Sequence, residues 1–286
     1  MTYSVIRTSA YLLQILSQPS VDGFVHSVYR RTINLSVEGC LLALQTVGSP
    51  LSPVSLITEL TEAELEQLII SPGDPVRFSS QKLCISGHGS SYSFHYHEAC
   101  IVDLCLTEVL SSSARKRLSS HIQTVLSQTD TSGLAMLFDQ KFYSDIPLLF
   151  LAAGERISCC TALYGHQKYE EAARELARLI GLGIGLTPSG DDFLCGVLAG
   201  LFLTGRSDTA FAQSLRDTIQ QHLTDTIDIS ATFLSCALDR QFSLAVKGLE
   251  TVAEVSDIRK SFLEIGHSSG MDTLCGVLYA LQLGTG

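Results

Sequence analysis

The sequence of 286 residues has few charged side chains: Asp, Glu, Lys and Arg make up only 17% of it, whereas 45% is hydrophobic. This balance argues against global disorder and predicts a substantial core, in one large domain or two of ordinary size. The sequence also lacks an apolar run long enough to span a bilayer. Residues 1–16 lack the basic start and the long apolar centre of a secretory signal. We therefore expect a cytoplasmic protein.

Basic residues are outnumbered, with 19 Lys and Arg against 29 Asp and Glu, so the formal net charge is −10. This charge argues against nucleic acid and acidic membrane surfaces as partners, although it leaves room for a local basic pocket that binds a small anion. The sequence has nine cysteines, but Cys195, Cys236 and Cys275 lie inside apolar runs and no leader precedes them. Reduced, buried thiols are therefore a better interpretation than disulfides.

Several familiar catalytic and metal-binding motifs are absent. The sequence contains no Gly-x-Ser-x-Gly elbow, no HExxH and no P-loop, and its Cys159-Cys160 pair does not match CxxC. His95 and His97 share one face of a predicted strand, with His88 nearby, and this spacing can bind a metal. No third ligand is evident and solvated strand histidines are commoner, so we predict no metal site from these histidines.

The pattern of apolar residues changes near residue 108. Before this point, alternating apolar residues and turns such as Glu38-Gly39 predict short strands, one of which runs from Val28 to Leu35 and contains two arginines. After it, helical periodicity dominates and the breaks are short. We therefore predict an α+β chain, with a β-rich barrel or sandwich domain at residues 1–108 and a mostly α-helical domain at residues 109–286.

One stretch of the helical domain, Gly181 to Asp192, places four glycines, a proline and two adjacent carboxylates between two apolar runs. It predicts a helix end, a tight loop and the start of a buried helix. Residues 189–198 match residues 269–278 at eight of ten positions, with an offset of 80 residues. The helices that follow these two starts are the most apolar of the domain, and we predict that they form its central pair.

The repeated helix starts allow two interpretations. Ser189 with Asp192, and Ser269 with Asp272, have the spacing of capping boxes, and this simple interpretation is strong for either motif alone. It does not explain the run of glycines, the second carboxylate Asp191, or the repeat. We therefore favour two helix N-termini that face one shared small anion, because free N–H groups and the helix dipole attract negative charge.

The carboxylates also suit a hard cation such as Mg²⁺, which prefers oxygen ligands. Adjacent aspartates point to different faces of a helix, so we expect at most one of Asp191 and Asp192 to join Asp272. We rank a metal below an anion held by backbone N–H groups. His267, just before the second motif, either moves a proton near neutral pH or is an ordinary loop histidine.

The two motifs resemble those of a family first described as a domain of unknown function and now linked to a subunit of bacterial oxamate carbamoyltransferase. Gly183 to Asp192 fits the family motif Gly-x-Gly-Leu-Thr-Pro-Ser-x-Asp-Asp, with Gly190 at the variable position. Residues 266–276 fit the second motif, Gly-His-x-Ser-Gly-x-Asp-Thr-Leu-x-Gly. Residues 29–35 are similar to an Arg-Arg-x-Ile-Asn-Leu segment near the family's N-terminus, so the resemblance spans most of the chain.

The resemblance implies reversible carbamoyl transfer, in which oxalurate and phosphate give oxamate and carbamoyl phosphate during anaerobic allantoin breakdown. It also implies two other subunits, one of which resembles the acyl-CoA synthetase family. We predict no resident cofactor, with Mg²⁺ left open, and we predict that Asp192, Asp272 and His267 are catalytic. The predicted residues for binding a small anionic substrate are Arg30, Arg31, Asn34, Gly183, Gly185, Thr187, Ser189, Gly190, Asp191, Ser269 and Gly270.

Two other functions stay open at this point. One is a free-standing Mg²⁺-dependent enzyme for acyl or carbamoyl transfer, or for hydrolysis, that uses Asp192 and Asp272. The other is a non-catalytic subunit that binds a metabolite or serves as a scaffold. In the reading that we favour, Arg30 or Arg31 from the β-rich domain closes over the anion, because positioning and charge neutralisation are what this chemistry needs.

Overall fold

The structure is a computed structural model, which describes residues 1–16, 20–79, 81–87, 89–129, 132–138, 146–266 and 268–284. The chain forms two compact units, Met1–Leu104 and Cys105–Gly286. The first unit is a β-barrel and the second is helical, so the predicted α+β chain with a β-rich first part is confirmed. Within the described ranges, no helix is both long enough and apolar enough to cross a membrane.

The N-terminal unit is a closed barrel of eight strands with a ninth strand beside it. The ring runs β5-β4-β3-β2-β6-β7-β8-β1 and closes where β1 pairs antiparallel with β5; β9 pairs with the later part of β1. The strands are β1 (Thr2–Ser9), β2 (Ser20–Val28), β3 (Thr32–Val37), β4 (Cys40–Gln45), β5 (Ser55–Thr58), β6 (Pro75–Ser79), β7 (Lys82–Gly87), β8 (Ser90–His95) and β9 (Cys100–Val102). Of the two predicted architectures, the barrel is therefore correct.

The inside of the barrel is filled by alternating apolar side chains, as expected for strands with one buried face. Val25, Leu35, Phe78 and Phe94 are all essentially inaccessible to solvent. Two short helices accompany the strands: α1 (Ala10–Ile15) follows β1 directly, and α2 (Glu62–Glu66) lies between β5 and β6. The sequence analysis did not identify β1, although this strand closes the ring, because its first half is polar and its apolar residues are few.

Two hairpin turns of the barrel, β2–β3 and β3–β4, can be compared with the sequence-based predictions. The turn at Glu38-Gly39 is confirmed: both residues have positive φ, at 49° and 81°, between the paired strands β3 and β4. The predicted continuous strand from Val28 to Leu35 is wrong, because β2 ends at Val28 and β3 begins at Thr32. Arg30 and Arg31 therefore lie in the turn between two antiparallel strands, and not on opposite faces of one strand.

The helical unit contains nine α-helices in the described part of the chain, and its first helix is preceded by an extended segment. The helices are α3 (Ser112–Ser127), α4 (Leu148–Gly165), α5 (Tyr169–Ala177), α6 (Ser189–Leu203), α7 (Ala210–Gln221), α8 (Asp228–Leu238), α9 (Leu244–Gly248), α10 (Val255–Leu263) and α11 (Ser269–Gln282). A short 3-10 helix, Gly133–Leu137, lies between α3 and α4. The helical periodicity predicted after residue 108 is confirmed by these helices.

The extended segment at the start of the helical unit is fixed by an ion pair on α9 and the turn after it. Lys247 donates to the carbonyl oxygen of Cys105 at 2.6 Å and pairs with Glu250 at 2.7 Å. Glu250 in turn accepts the backbone N–H groups of Thr107 and Glu108 at 2.6 and 2.9 Å. These contacts explain why residues 105–108 belong to the helical unit, whereas the sequence-based division assigns them to the β-rich domain.

The two repeated helices, α6 and α11, form the centre of the helical unit, as predicted. Gly196 of α6 lies directly against the carbonyl oxygen of Thr273, and Gly276 of α11 lies directly against the carbonyl oxygen of Phe193. A Cβ atom at either glycine would overlap the partner backbone, so only glycine permits this close crossing. The contact is symmetric in the repeat, because Gly196 and Gly276 are equivalent positions, and so are Phe193 and Thr273, whose carbonyl oxygens they contact. The crossing therefore fixes the two helix starts relative to each other.

Candidate functional site

The two repeated helix starts, which are far apart in the sequence, meet in space. The hydroxyl of Thr187, two residues before α6, lies 2.6 Å from the hydroxyl of Ser269, the first residue of α11. The carboxylates of Asp192 and Asp272 are near enough for Asp272 to raise the pKa of Asp192. The site is therefore built from both copies of the motif, and the crossing glycines hold the copies together.

Of the two interpretations of these helix starts, the simple one, in which the serines form capping boxes, is wrong. Helix α6 begins at Ser189 itself and its N-cap is Pro188, which makes no side-chain cap; α11 has Ser268 as its N-cap, also without a side-chain cap. The serines of the motifs instead face the aspartate of the other helix. Ser189 hydrogen-bonds the Asp272 carboxylate, whereas Ser269 hydrogen-bonds that of Asp192. The serine of each Ser-x-x-Asp motif thus hydrogen-bonds the aspartate of the other motif.

Asp192 is half-buried as a residue, but its Oδ2 atom is inaccessible and has no hydrogen-bond partner among the described residues. Burial raises the pKa of Asp192 well above its usual value, and the neighbouring charges of Asp272 and Asp191 raise it further. Hydrogen bonds from Ser269 and Thr187 lower the pKa without offsetting the burial. A carboxyl in this setting favours the protonated form near neutral pH.

Asp272 is fully buried, and its two oxygens have different surroundings. Its Oδ1 accepts the backbone N–H of Leu134 at 2.7 Å, whereas its Oδ2 is buried without a partner in the described part of the chain. Burial raises the pKa of Asp272 from 3.8 to about 6, although bonds from Ser189, Ser268 and the N–H groups of Leu134 and Ala135 lower it. The carboxylate therefore titrates close to neutral pH.

The segment that supplies these N–H groups, the 3-10 helix Gly133–Leu137, was missed by the sequence analysis. Gly133 has a φ of 65° and its Cα lies so close to the Asp272 carboxylate that a Cβ would approach Oδ1 to 2.5 Å. A glycine before a short apolar run was the only signal of this in the sequence, and it is too common to identify a site. Asp272 occupies the N-terminus of the 3-10 helix, where the free N–H groups favour a negative charge.

Asp191 points away from the pair, as expected for neighbours on a helix. Its Oδ1 accepts the N–H of Gly181 at 2.9 Å, and its Oδ2 accepts the hydroxyls of Thr226 and Ser230 at 2.5 and 2.7 Å. Asp191 is fully buried, and both of its carboxylate oxygens accept hydrogen bonds. Asp191 thus anchors the glycine loop to the start of α8, and only Asp192 joins Asp272.

The glycines around the helix starts differ in their surroundings. Gly190 lies against the carbonyl oxygen of Leu179, just after α5, and Gly270 lies against that of Phe262 in α10, so each lets its helix start close to the preceding backbone. Gly183 and Gly185 lie in the loop before α6, with φ of 144° and 105°, and Gly185 has open space where a side chain would be. Gly183 instead lies against the backbone N–H of Ser189, so only Gly185 leaves its backbone open, whereas Gly190 and Gly270 are closed by packing.

The thiols near the carboxylates are not activated. Burial, together with the charges of Asp192 and Asp191, raises the pKa of Cys195 well above its usual value. Burial and the charge of Asp272 do the same to Cys275. A thiol with a raised pKa is a poor nucleophile because the thiolate is the reactive form. As predicted, Cys275 is buried in the core, and Cys195 is half-buried and packs against it.

The remaining predicted site residues lie elsewhere or outside the described ranges. In the barrel unit, exposed Arg30 pairs with Glu62 and Glu66 of α2 at 2.7 and 3.1 Å, and exposed Arg31 donates to the backbone carbonyl of Gly48 at 3.5 Å. Asn34 is buried and donates to the hydroxyl of Ser27 at 3.0 Å. His267 lies outside the described residues. The roles assigned to these four residues therefore stay predictions.

The geometry can support proton transfer between two buried carboxyls. Asp192 and Asp272 come from equivalent positions, each has one unpartnered oxygen, and each has a raised pKa caused mainly by burial. Two like charges that are desolvated and close together do not both ionise readily, so such a pair tends to hold one proton near neutral pH. A pair in this state offers one acid and one base.

Comparison with known families covers both units. Residues 4–101 match the model of the AllH family N-terminal domain, and residues 179–281 match the model described as oxamate carbamoyltransferase subunit AllH. The second match contains both helix starts and both carboxylates. No solved structure matches the chain. The two family matches include most of the residues, and the chain therefore belongs to the AllH family of oxamate carbamoyltransferase subunits.

Proposed function

We propose that this chain is the subunit in which protons are moved during reversible carbamoyl transfer between oxamate and phosphate. Family membership supports the coarser statement, a subunit of oxamate carbamoyltransferase. The proposal rests above all on the pairing of two buried carboxyls, Asp192 and Asp272, that have raised pKa values and one unpartnered oxygen each. The groups that bind the anionic parts of the substrates would come from elsewhere in this chain or from the other subunits.

The proposed reaction needs one proton to be moved for each turnover. An oxygen of phosphate attacks the carbonyl carbon of the carbamoyl group of oxalurate, and the bond from that carbon to the oxamate nitrogen breaks. The nitrogen gains a proton and phosphate loses one, so atoms and charge balance. An amide nitrogen is a poor leaving group unless it is protonated as the bond breaks, which a positioned acid can provide. The carboxylate partner would take the proton from phosphate.

The roles of the two carboxyls follow from their surroundings. Asp192, whose pKa is raised by burial and also by Asp272, is assigned as the acid that holds the proton. Asp272 accepts the N–H of Leu134 and has a pKa of about 6, so it is assigned as the base. In the reverse direction the two roles exchange, because the same pair must then take the proton from the oxamate nitrogen.

The small anion that we predicted at the helix N-termini is kept in the proposal only in part. At α6 the N–H of Gly190 already donates to the carbonyl of Leu182, and those of Asp191 and Asp192 donate to Pro188. The negative charges nearest these helix starts belong to the protein's own carboxylates, which the helix dipoles favour. Binding of the phosphate group is therefore assigned to residues beyond the start of α6, with Arg30 and Arg31 still candidates.

A Mg²⁺-dependent reaction is the second candidate, because two carboxylates and several hydroxyls offer oxygen ligands. Among the described residues no group of three or more His, Cys, Asp or Glu side chains is placed to hold a metal ion. Substrate or water would then have to complete the coordination. Loss of turnover with a chelator, and its rescue by Mg²⁺, would favour this candidate over a proton-sharing pair.

The test is turnover by the enzyme reconstituted from this chain and its partner subunits. Asp192→Asn and Asp272→Asn should each lower the rate of carbamoyl transfer by about 100-fold or more, which is typical of a lost acid or base. Asp217→Asn is the matched control, since Asp217 is exposed on α7. If both site variants turn over like the control, the chain is a non-catalytic subunit and the proposal is wrong.

A further inference from the structure

The unpartnered oxygens of the site define what kind of group can fill it. Asp272 is fully inaccessible to solvent, and the Oδ2 atoms of Asp272 and Asp192 are both buried acceptors with no donor among the described residues. A buried acceptor that is left unsatisfied costs free energy, and more so when it carries charge. A ligand that supplies hydrogen-bond donors removes this cost, whereas a ligand that supplies only acceptors adds to it.

The donors of the protein around the pair leave the two Oδ2 atoms without a partner. The N–H of Leu134 is bonded to the other oxygen of Asp272. The hydroxyls of Ser189 and Ser268 beside Asp272, and those of Ser269 and Thr187 beside Asp192, do not hydrogen-bond either Oδ2 atom. The influences on the pKa values of the two carboxyls are burial, hydroxyl groups, backbone N–H groups and neighbouring carboxylates, and none of these is a cation. The surroundings are therefore poor in donors for the two Oδ2 atoms, and they repel a second anion.

The symmetry of the repeat gives the site two equivalent acceptors. Asp192 and Asp272 occupy the same position in the two copies, and each is contacted by the serine of the other copy. A primary amide –NH₂ group carries two N–H donors and no charge, so its hydrogen-bonding pattern complements this pair. A carboxylate of similar shape presents two acceptors instead, and a site built for donors rejects such a group strongly.

We propose that the Oδ2 atoms of Asp192 and Asp272 bind the –NH₂ group of a primary amide, and that this pair selects the amide end of the substrate against a carboxylate or phosphate. The inference deepens the proposed function and rests on it for the class of substrate. In that reaction the amide would be the nitrogen of oxamate, whose two hydrogens face the pair before one of them is replaced by the carbamoyl group. The anionic end of the same molecule is then bound elsewhere.

The experiment compares three ligands that differ in the group they present to the two carboxyls. Binding of oxamate, oxalate and inorganic phosphate is measured by calorimetry on the full chain and on the reconstituted enzyme. Oxalate has the shape of oxamate but presents two acceptor oxygens and an additional negative charge in place of the two N–H donors. Oxamate should bind at least about tenfold more tightly than oxalate, and phosphate should not compete with it at this site.

Variants show whether the two carboxylates cause the selectivity. In Asp272→Asn, and independently in Asp192→Asn, the ratio of the two affinities should fall to about one or invert, because an amide now faces the ligand. The exposed control Asp217→Asn should keep the wild-type ratio. Far-UV circular dichroism confirms that each variant is folded, and the comparison of ligands on the wild-type chain needs no variant.

Several outcomes would overturn the inference. These are equal or tighter binding of oxalate or phosphate by the wild-type chain, selectivity that persists in both site variants, or absence of oxamate binding in every preparation. Binding of Mg²⁺ alone that requires both carboxylates would identify a cation site instead. Turnover separates the two proposals: if the site variants lose turnover but the wild type does not discriminate oxamate from oxalate, the proton-transfer role stands and the amide subsite is wrong.

Discussion

Replacing Asp272 by Asn should make the protein more stable at neutral pH while it removes turnover. The reason is that a buried carboxylate with an unpartnered oxygen is costly when it is ionised. Folding raises the pKa of Asp272 from 3.8 to about 6, so the folded state holds the proton more tightly than the unfolded chain does. The stabilising contribution of this group is therefore fully present below pH 3.8 and is lost as the pH rises through about 6.

The size of the effect follows from the same values. A difference between 3.8 and about 6 corresponds to about 3 kcal/mol of stability lost between low and neutral pH. An asparagine keeps the acceptor for the N–H of Leu134 and places an amide where the unpartnered Oδ2 was, next to the Asp192 carboxylate. We expect a gain of about 1–3 kcal/mol in the free energy of unfolding at about pH 8, and little change at about pH 4.

Asp191, the neighbour of Asp192 in the sequence, provides a control in which the change of stability has the opposite sign. In Asp191→Asn, the new amide would face the hydroxyls of Thr226 and Ser230, which now donate to Oδ2 at 2.5 and 2.7 Å. At least one buried donor would lose its acceptor, so this variant should be destabilised by about 1–3 kcal/mol. Asp192→Asn should behave like Asp272→Asn, because the pKa of Asp192 is also raised, mainly by burial.

The assay is urea unfolding followed by far-UV circular dichroism, which reports mainly on the helical unit and suits a chain with no tryptophan. The wild type and the three variants are compared at about pH 4 and about pH 8. Destabilisation of both Asp192→Asn and Asp272→Asn at the higher pH would refute the reasoning. It would mean that both carboxylates are stabilised as ions in the folded protein, by a donor or cation that the described residues do not include.

Three further predictions concern the packing around the site and the barrel. Gly196→Ala and Gly276→Ala should each destabilise the helical unit by about 1–3 kcal/mol in urea unfolding, because a Cβ would overlap the partner helix; Gly165→Ala, at the end of α4 with open space around it, should be neutral or slightly stabilising. Equal behaviour of the three glycines would contradict the crossing. Thr61→Ala removes the hydroxyl that accepts the Glu64 N–H, and should lower the stability of the barrel by about 1 kcal/mol without affecting turnover.

Local patterns were enough to predict the architecture. Alternation and turn residues indicated the barrel strands, and the Thr-x-x-Glu spacing of Thr61 and Glu64 forms a capping box in the structure. The repeat located the central helix pair, because two unusually apolar helices with glycine at the same position need each other to bury their faces. Arg30 and Arg31 were misplaced because a hairpin turn without Gly, Asn or Asp gives no local signal, and only the pairing of Val28 with Ile33 reveals it.

The capping boxes failed for a different physical reason. The spacing of Ser189 and Asp192 is the same whether the serine lies just before the helix or is its first residue, and local sequence does not distinguish the two. Pro188 is the residue that shifts the start, since it terminates the preceding loop and leaves Ser189 helical. The hydroxyl is then free to reach Asp272 in the other copy. These hydrogen bonds between the two motifs depend on how the helices cross, and neither motif alone predicts them.

The crossing also explains why the site needs two copies. Burial is the main cause of the raised pKa of each carboxyl, and the charge of Asp272 raises the pKa of Asp192 further. The serines of the opposite copies limit the rise without cancelling it. The glycines Gly196 and Gly276 set the distance between the copies, so they determine how strongly the two carboxylates are coupled. If this is correct, an alanine at either glycine should lower the pKa of the pair as the helices separate, and the pH dependence of stability should weaken along with turnover.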